Sequence, residues 1–249
     1  MPDRPAPAWP EEYGRLVLPE VDSTNAEALR RLPELGGPCW ILSRRQTAGR
    51  GRRGRGWADP AGNFAATLAI RLQASPAHMA LRSFAAALAL HDALVAVTGL
   101  AQGFALKWPN DVLLNGGKLS GILLESGGGG ALAVGIGVNL RAAPPADPGA
   151  AFAPVSLRAE TGLSLSPEHL LDHLAPAFAQ WEGRLQTYGF TPLRAAFLDR
   201  VTRLGEPILA RTMTDTIEGR FATIDESGAL VLATTGGQRV VPAAEIFFP

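Results

Sequence analysis

The residues from Arg44 to Trp57 form the part of the sequence best suited to bind a small anionic molecule. Six arginines and four glycines fall within these fourteen positions, RRQTAGRGRRGRGW. Arginine offers a planar set of N–H donors that fits carboxylate and phosphate groups. Glycine lets the backbone approach a ligand closely. The stretch therefore predicts a flexible loop that closes over a polyanionic small molecule, with a solvated basic loop as the alternative.

A second group of charged residues lies beside short predicted strands in the middle of the chain. Lys107 and Asp111 enclose the residues Trp108-Pro109-Asn110, and Lys118 follows the turn at 115–117. These side chains could surround a charged ligand. The alternative is that the lysines protect strand edges from aggregation.

Ser23 and Thr24 stand at the start of a predicted helix. The spacing Thr24-x-x-Glu27 fits a capping box, in which the two side chains satisfy the first amide groups of the helix. The same hydroxyls, together with exposed amide N–H groups, could instead bind a polar group of a ligand. The residues alone leave both interpretations open.

The overall composition excludes several broad classes of function. The 249 residues carry a net charge of +0, which argues against a general binder of nucleic acid or of membrane surfaces. Cys39 is the single cysteine, so an intrachain disulfide is excluded. The longest apolar run, 84–101, is interrupted by His91-Asp92 and predicts a core helix, and the N-terminus lacks a signal peptide. We therefore expect a soluble, cytoplasmic protein.

The pattern of strands and helices predicts an α+β fold in two parts. The larger part, 1–203, contains strands at 16–18, 39–43 and 64–72, a helix at 76–97, an antiparallel meander at 112–140, and helices at 166–188 and 191–203. The smaller part, 204–249, alternates short strands with turns, and at about 45 residues it is expected to pack on the larger part.

Four motifs occur in a fixed order, and together they resemble the biotin protein ligases. They are DSTN at 22–25, the loop at 46–57, KWPND at 107–111 with GKLSGIL at 117–123, and GIGVN at 135–139. The resemblance implies a mixed, largely antiparallel sheet packed by helices, as in class II synthetases, followed by an SH3-like β-barrel. Only about 20 residues precede the first motif, so the chain resembles the monofunctional members without an N-terminal DNA-binding domain.

The resemblance also implies a two-step reaction. The biotin carboxylate attacks the α-phosphate of ATP, giving biotinyl-5′-AMP, and a lysine of a biotin carboxyl carrier protein then takes the biotinyl group. The expected cofactors are ATP and Mg²⁺, and the expected partner is the carrier of acetyl-CoA carboxylase or a related carboxylase. A homodimer is also considered, with the sheet edge near 131–140 as its candidate interface.

Each matching residue receives an expected role from this resemblance. Ser23, Thr24, Gln46 and Arg52 are expected around the ureido ring of biotin, and Arg50 with Gly51 around its carboxylate. The complete biotin-binding set is Ser23, Thr24, Asn25, Gln46, Arg50, Gly51, Arg52 and Lys118. The set for ATP or the adenylate is Arg50, Arg53, Trp57, Lys107, Asn110 and Asn139. The expected catalytic residues are Lys107, Lys118, Arg50 and Asp111, with Asp111 also considered as a Mg²⁺ ligand or as a base.

Other functions can be weighed against the same residues. A lipoate or octanoyl ligase of the same fold is the first alternative. An arginine-rich nucleic-acid-binding module would explain the loop but conflicts with the neutral chain. A noncatalytic biotin sensor conflicts with Lys107 and Lys118. Gly49-x-Gly51-x-x-Gly54 matches the dinucleotide-binding fingerprint, but a turn and a strand follow it where that fingerprint needs a helix.

Overall fold

The structure is a computed structural model that describes residues 5–100, 102–146 and 151–248. Its first sheet contains the strands β1 (Gly14–Leu18), β2 (Cys39–Ser43), β3 (Phe64–Arg71), β4 (Phe104–Lys107), β5 (Asp111–Leu114), β6 (Gly117–Ser126) and β7 (Ala131–Val138). The helices are α1 (Thr24–Arg31), α2 (Pro76–Ala80), α3 (Arg82–Thr98), α4 (Leu157–Thr161), α5 (Pro167–Tyr188) and α6 (Thr191–Leu198). The second sheet contains β8 (Pro207–Arg211), β9 (Thr216–Ile224), β10 (Leu230–Thr234), β11 (Gly237–Val241) and β12 (Glu245–Phe247).

The first sheet is mixed and mostly antiparallel, as the sequence predicts. Its spatial order is β1-β2-β3-β7-β6-β5-β4, with β1 and β2 parallel and the other neighbours antiparallel. The strand β7 lies between β3 and β6, in the interior of the sheet. The prediction that residues 131–140 form an exposed edge for a dimer is therefore wrong, because both sides of β7 are already hydrogen-bonded to neighbours.

The two faces of this sheet carry different side chains because residues alternate along each strand. Phe64, Ala66 and Leu68 of β3 face the main core with α3 and α5. Ala69 faces the other side, in a smaller cluster with Ala28 of α1. Many side chains on the face that carries Ala69 are small, and this leaves room for a binding site.

Several local predictions are confirmed, and others need correction. The Asn115-Gly116 turn joins β5 to β6 with both residues at positive φ, as this sequence pair favours. Gly99 ends α3 in the left-handed conformation. The predicted 76–97 helix is divided into α2 and α3 at Leu81, and the last helix ends at Leu198 rather than at residue 203. The helix α4 and the strand β12 were not predicted.

One helical stretch, Pro76–Thr98, has the length and apolar composition of a membrane span, and 61% of its most apolar window is buried inside the protein. It contains α3, which packs against α5 in the core. This agrees with the prediction of a core helix.

The second sheet has the order β11-β10-β9-β8-β12, and all of its strand pairs are antiparallel. It contacts the first part directly: the indole Nε1 of Trp108 donates a hydrogen bond of 2.9 Å to the carbonyl oxygen of Gly228. A small β module is thus present as predicted, while the division between residues 203 and 204 remains a prediction.

Candidate active site

A cavity of about 280 Å³ lies on the small-residue face of the first sheet. Its floor is formed by glycines of the paired strands β6 and β7, where Gly121 stands opposite Gly137. The ring of Trp57 rests on this pair, since a Cβ atom at Gly137 would lie 2.5 Å from Trp57 Cε2 and one at Gly121 would lie 3.2 Å from Trp57 Cζ3. The glycines are therefore required for an aromatic ring to approach the sheet so closely.

The arginine- and glycine-rich loop covers this cavity as a small hairpin. Gly51 N donates to Arg55 O at 2.7 Å, and Trp57 N donates to Gly49 O at 2.9 Å. The Asp59 carboxylate accepts a hydrogen bond of 2.9 Å from Gln46 N and so joins the two ends of the loop. Burial raises the pKa of Asp59, and the hydrogen bonds from Gln46 oppose this only in part.

One end of the cavity is lined by a network of hydroxyl and amide groups. Ser23, Thr24 and Asn25 are all buried at the start of α1. Gln46 Oε1 accepts from Thr24 N at 2.8 Å and lies 3.1 Å from Thr24 Oγ1. Ser23 is the N-cap residue of α1, while the Thr24 hydroxyl contacts Gln46 and Thr67. The predicted capping box at Thr24 is therefore wrong, and its hydroxyl belongs to the cavity.

The other end carries two lysines around one buried carboxylate. Lys118 Nζ lies 2.7 Å from Asp111 Oδ1, and Lys107 Nζ lies 3.4 Å from Asp111 Oδ2. Burial alone would raise the pKa of Asp111, but the charges of Lys118 and Lys107 outweigh it and hold that pKa below its ordinary value. Burial lowers the pKa of Lys107, and Asp111 opposes this only in part. The cluster of Lys107, Lys118 and Asp111 holds two ammonium groups and one carboxylate, so the cluster itself has an excess of positive charge.

Two arginines of the loop, Arg50 and Arg52, contact residues at opposite ends of the cavity. Arg50 Nη1 lies 3.4 Å from Glu125 Oε1, and Glu125 also accepts a hydrogen bond of 2.8 Å from Asn25 Nδ2. Arg52 Nη1 donates to Asn110 Oδ1 at 3.2 Å, near the lysines. The predicted roles, with Arg52 at the ureido ring and Arg50 at the carboxylate, concern a bound ligand and remain predictions.

Asn110 and Asn139 are both buried at the lysine end. The Asn110 amide donates to Ile122 O, and the Asn139 amide donates to Val155 O at 3.1 Å. Both residues line the cavity. Their expected contacts with a nucleotide remain a prediction. The side chain of Arg53 lies outside what the structure describes.

A metal site is not evident at this end of the cavity. Both oxygens of Asp111 are engaged by ammonium groups. Across residues 5–100, 102–146 and 151–248, no group of three or more His, Cys, Asp and Glu side chains could hold a metal ion. The arrangement therefore gives no support to Asp111 as a metal ligand. A carboxylate with a lowered pKa is also a poor proton acceptor, which argues against Asp111 as a base.

Three residues of the site were missed in the sequence. Thr67 lies in an apolar strand and reads as an ordinary strand residue, although it is fully buried beside Thr24 and Asn25. Glu125 lies at the end of a strand that precedes a glycine-rich turn. Glu245 comes from the second sheet, lines the cavity and pairs with Arg55 of the loop at 2.8 Å. Only strand pairing and tertiary packing bring these residues to the site.

Comparisons with known proteins agree with this arrangement. Residues 17–141 match the Biotin/lipoate A/B protein ligase family, and residues 204–248 match the Biotin protein ligase C terminal domain. A biotin--[acetyl-CoA-carboxylase] ligase of Paracoccus denitrificans is 58% identical over 239 residues, which cover 93% of this chain and 99% of that protein. The chain belongs to the biotin protein ligase family.

Two further relatives support this membership of the biotin protein ligase family. A biotin--[acetyl-CoA-carboxylase] ligase of Mycobacterium tuberculosis is 32% identical, with 92% of this chain and 87% of that protein covered. Among solved structures, a biotin protein ligase from Aquifex aeolicus in complex with biotin and ATP has a TM-score of 0.79 at 24% identity. The match covers 94% of this chain and 97% of that chain, and at this identity it establishes the fold alone.

Proposed function

We propose that this chain is a biotin protein ligase, which activates biotin with ATP and transfers it to a lysine of a biotin carboxyl carrier protein. The observation that carries the proposal is a single cavity with one end rich in hydroxyl and amide groups and one cationic end. The first end, with Ser23, Thr24 and Gln46, suits a ureido ring. The second, with Lys107 and Lys118, suits the carboxylate and the phosphates.

In the first step, a carboxylate oxygen of biotin forms a bond to the α-phosphorus of ATP, and pyrophosphate leaves with the electron pair of the broken P–O bond. Two anions must meet, so the protein contributes mainly position and charge. Lys118, 35% exposed and held by Asp111, is suited to the biotin carboxylate. Lys107, buried beneath it, is suited to the α-phosphate. Arg52, beside Asn110, can reach the same region.

In the second step, a neutral lysine amine of the carrier attacks the acyl carbon. A C–N bond forms, AMP leaves with the electron pair of the C–O bond, and the amine releases a proton. The mixed anhydride must be kept from water until the carrier arrives. The hairpin that seats Trp57 over Gly121 and Gly137 is placed to cover it.

The proposal also covers the metal ion, the partner proteins and the cellular location. We propose that Mg²⁺ enters bound to the phosphates of ATP, because the described residues offer no metal cluster of their own. The carrier of acetyl-CoA carboxylase is the proposed acceptor, and the proposed place of action is the cytoplasm, without DNA or membrane partners. A homodimer remains open to test by sedimentation, with an interface elsewhere than on β7.

The test is biotin-dependent ATP–pyrophosphate exchange, with mass spectrometry of the products and lipoate as the competing acid. Biotinyl-AMP formed only with biotin supports the proposal. An adenylate formed only with lipoate would assign the chain to the lipoate branch. Binding of biotin without any adenylate would instead favour a sensor.

A further inference from the structure

At the polar end of the cavity, the hydroxyl groups of Thr24 and Thr67 make three short contacts with one another and with amide oxygens. Thr67 Oγ1 lies 2.7 Å from Asn25 Oδ1 and 2.8 Å from Thr24 Oγ1, and Thr24 Oγ1 lies 3.1 Å from Gln46 Oε1. Each hydroxyl has one proton to donate. Two protons must therefore be distributed over three contacts, and the rest of the network decides how.

Glu125 fixes the orientation of the Asn25 amide. A carboxylate can only accept hydrogen bonds, so the Asn25 group 2.8 Å from Glu125 must be the NH₂. The same NH₂ donates to Leu123 O at 3.1 Å. Asn25 Oδ1 is consequently directed at Thr67, and a buried carbonyl oxygen needs a donor. The Thr67 proton is therefore assigned to Asn25.

This assignment determines the direction of the Thr24 hydroxyl. Thr67 has given its proton to Asn25, so its oxygen can accept the proton of Thr24 at 2.8 Å. Gln46 Oε1 is already satisfied by Thr24 N at 2.8 Å, and its contact with Thr24 Oγ1 is the longer one at 3.1 Å. Thr24 therefore donates a hydrogen bond to Thr67, and Thr67 donates one to Asn25, along the two shortest contacts. Thr24 then has no proton left to donate, so toward the cavity its oxygen can act only as an acceptor, beside the carbonyl oxygen of Gln46.

We infer that Thr67, which donates to the fixed amide oxygen of Asn25, is a positioning residue that sets Thr24 as a hydrogen-bond acceptor for an N–H group of the substrate. The inference rests on the proposed function, and it deepens that function by naming what selects a cyclic urea. A urea ring presents N–H donors, whereas a dithiolane ring or an alkyl chain presents none. Thr67 touches Thr24 and Asn25 rather than the cavity, so it acts through them.

The direct test is calorimetric binding of biotin, without ATP, to Thr67→Val, Thr67→Ser and the wild-type chain. Valine keeps the shape of threonine but lacks the hydroxyl, so biotin affinity should fall about tenfold, the value of one hydrogen bond. Serine restores the hydroxyl and should bind within about twofold of the wild type. Thr216→Val, an exposed threonine on β9, is the matched control and should bind biotin normally.

A second ligand separates this role from a merely structural one. In the two carbamate analogues of biotin, one or the other ureido N–H is replaced by oxygen. One analogue should bind the wild type at least about tenfold more weakly than biotin does, and this penalty should largely vanish in Thr67→Val. If that variant folds poorly, Thr67→Ala, which removes the same hydroxyl in a smaller side chain, should reduce the penalty in the same way.

Equal penalties for the analogues in the wild type and in both variants would overturn the inference. So would Thr67→Ser binding biotin as weakly as Thr67→Val. The ATP–pyrophosphate exchange of the wild type is measured in parallel. Exchange without biotin dependence would refute the proposed function, whereas normal exchange with unchanged variants would refute only the role of Thr67.

Discussion

Replacing Asp111 by asparagine should expose how the cationic end of the cavity is held. Lys107 and Asp111 are each only 8% exposed, so the substitution leaves a buried ammonium without its counter-charge. Removing one partner of a buried ion pair costs roughly 3–5 kcal/mol. Lys118 is 35% exposed and water can solvate it, so we expect the lower end, about 3 kcal/mol. In a chain of this length that corresponds to a fall in Tm of about 6–12 °C.

The same substitution should make adenylate formation depend on pH. Burial already lowers the pKa of Lys107, and Asp111 is the main group that opposes this. In Asp111→Asn that pKa falls further, so Lys107 loses its proton at a lower pH than in the wild type. Above the lowered pKa the rate should fall about tenfold per pH unit, because the protonated fraction falls by that factor.

Stability should change with pH in the opposite direction. A lysine whose pKa is lower in the folded than in the unfolded state destabilises the fold most at low pH, where both states are protonated. This cost decreases as the pH rises from the folded toward the unfolded pKa. The stability deficit of Asp111→Asn relative to the wild type should therefore shrink as the pH rises above the lowered pKa of Lys107 in the variant.

The rate can be measured by pyrophosphate exchange and the stability by denaturant unfolding, each across a series of pH values. Asp172→Asn, which breaks the exposed pair with Arg15, is the control and should change stability by less than about 1 kcal/mol. A rate profile of Asp111→Asn parallel to that of the wild type, or an unchanged Tm, would refute the reasoning. Unchanged transfer from preformed adenylate would, in addition, exclude Asp111 as the base of the second step.

Three further predictions concern the lysine, the glycine floor and the loop. Lys118→Ala should lower kcat/KM for adenylate formation at least about tenfold, because a charge-assisted hydrogen bond contributes roughly 1.5–3 kcal/mol; a smaller loss would place Lys118 outside the reaction. Gly137→Ala should displace Trp57 and weaken biotin binding. Gly56→Ala has open space at its Cβ position and should be tolerated. Equal biotin affinities of the two variants would show that Trp57 does not need a glycine at position 137. The amides of 49–57 should exchange with solvent quickly in the free protein and slowly with biotin and ATP, measured by hydrogen exchange, and equal rates would argue against a closing loop.

The parts of the fold that were predicted correctly depend on local signals. Asn115-Gly116 fixes a hairpin turn, Gly99 ends a helix, and the apolar run at 39–43 forms a strand with the predicted bounds. Each of these depends on the conformational preferences of a few adjacent residues. The position of β7 inside the sheet could not be predicted in this way, because it depends on pairing with β3, about 65 residues away.

The residues of the candidate site also divide into those that local motifs indicate and those that only the tertiary structure identifies. Lys107, Asp111 and Lys118 could be selected from motifs, and the structure brings them together. Thr67 could not be selected, because a threonine within a buried strand is usual for its β-propensity. Its importance comes from the alternation of side chains across β3, which directs it at Thr24 and Asn25.

The measurement that tests the central claim most directly is transfer of biotin to a carrier domain. The chain is incubated with biotin, MgATP and a biotin carboxyl carrier domain, and the products are mapped by peptide mass spectrometry. The account predicts one biotinyl group on one carrier lysine, absent without ATP and absent when lipoate replaces biotin. Lys107 and Lys118 are the only lysines of the chain itself, so self-modification is readily recognised. A carrier that stays unmodified by this chain, although a known biotin protein ligase modifies the same carrier preparation, would contradict the proposed function.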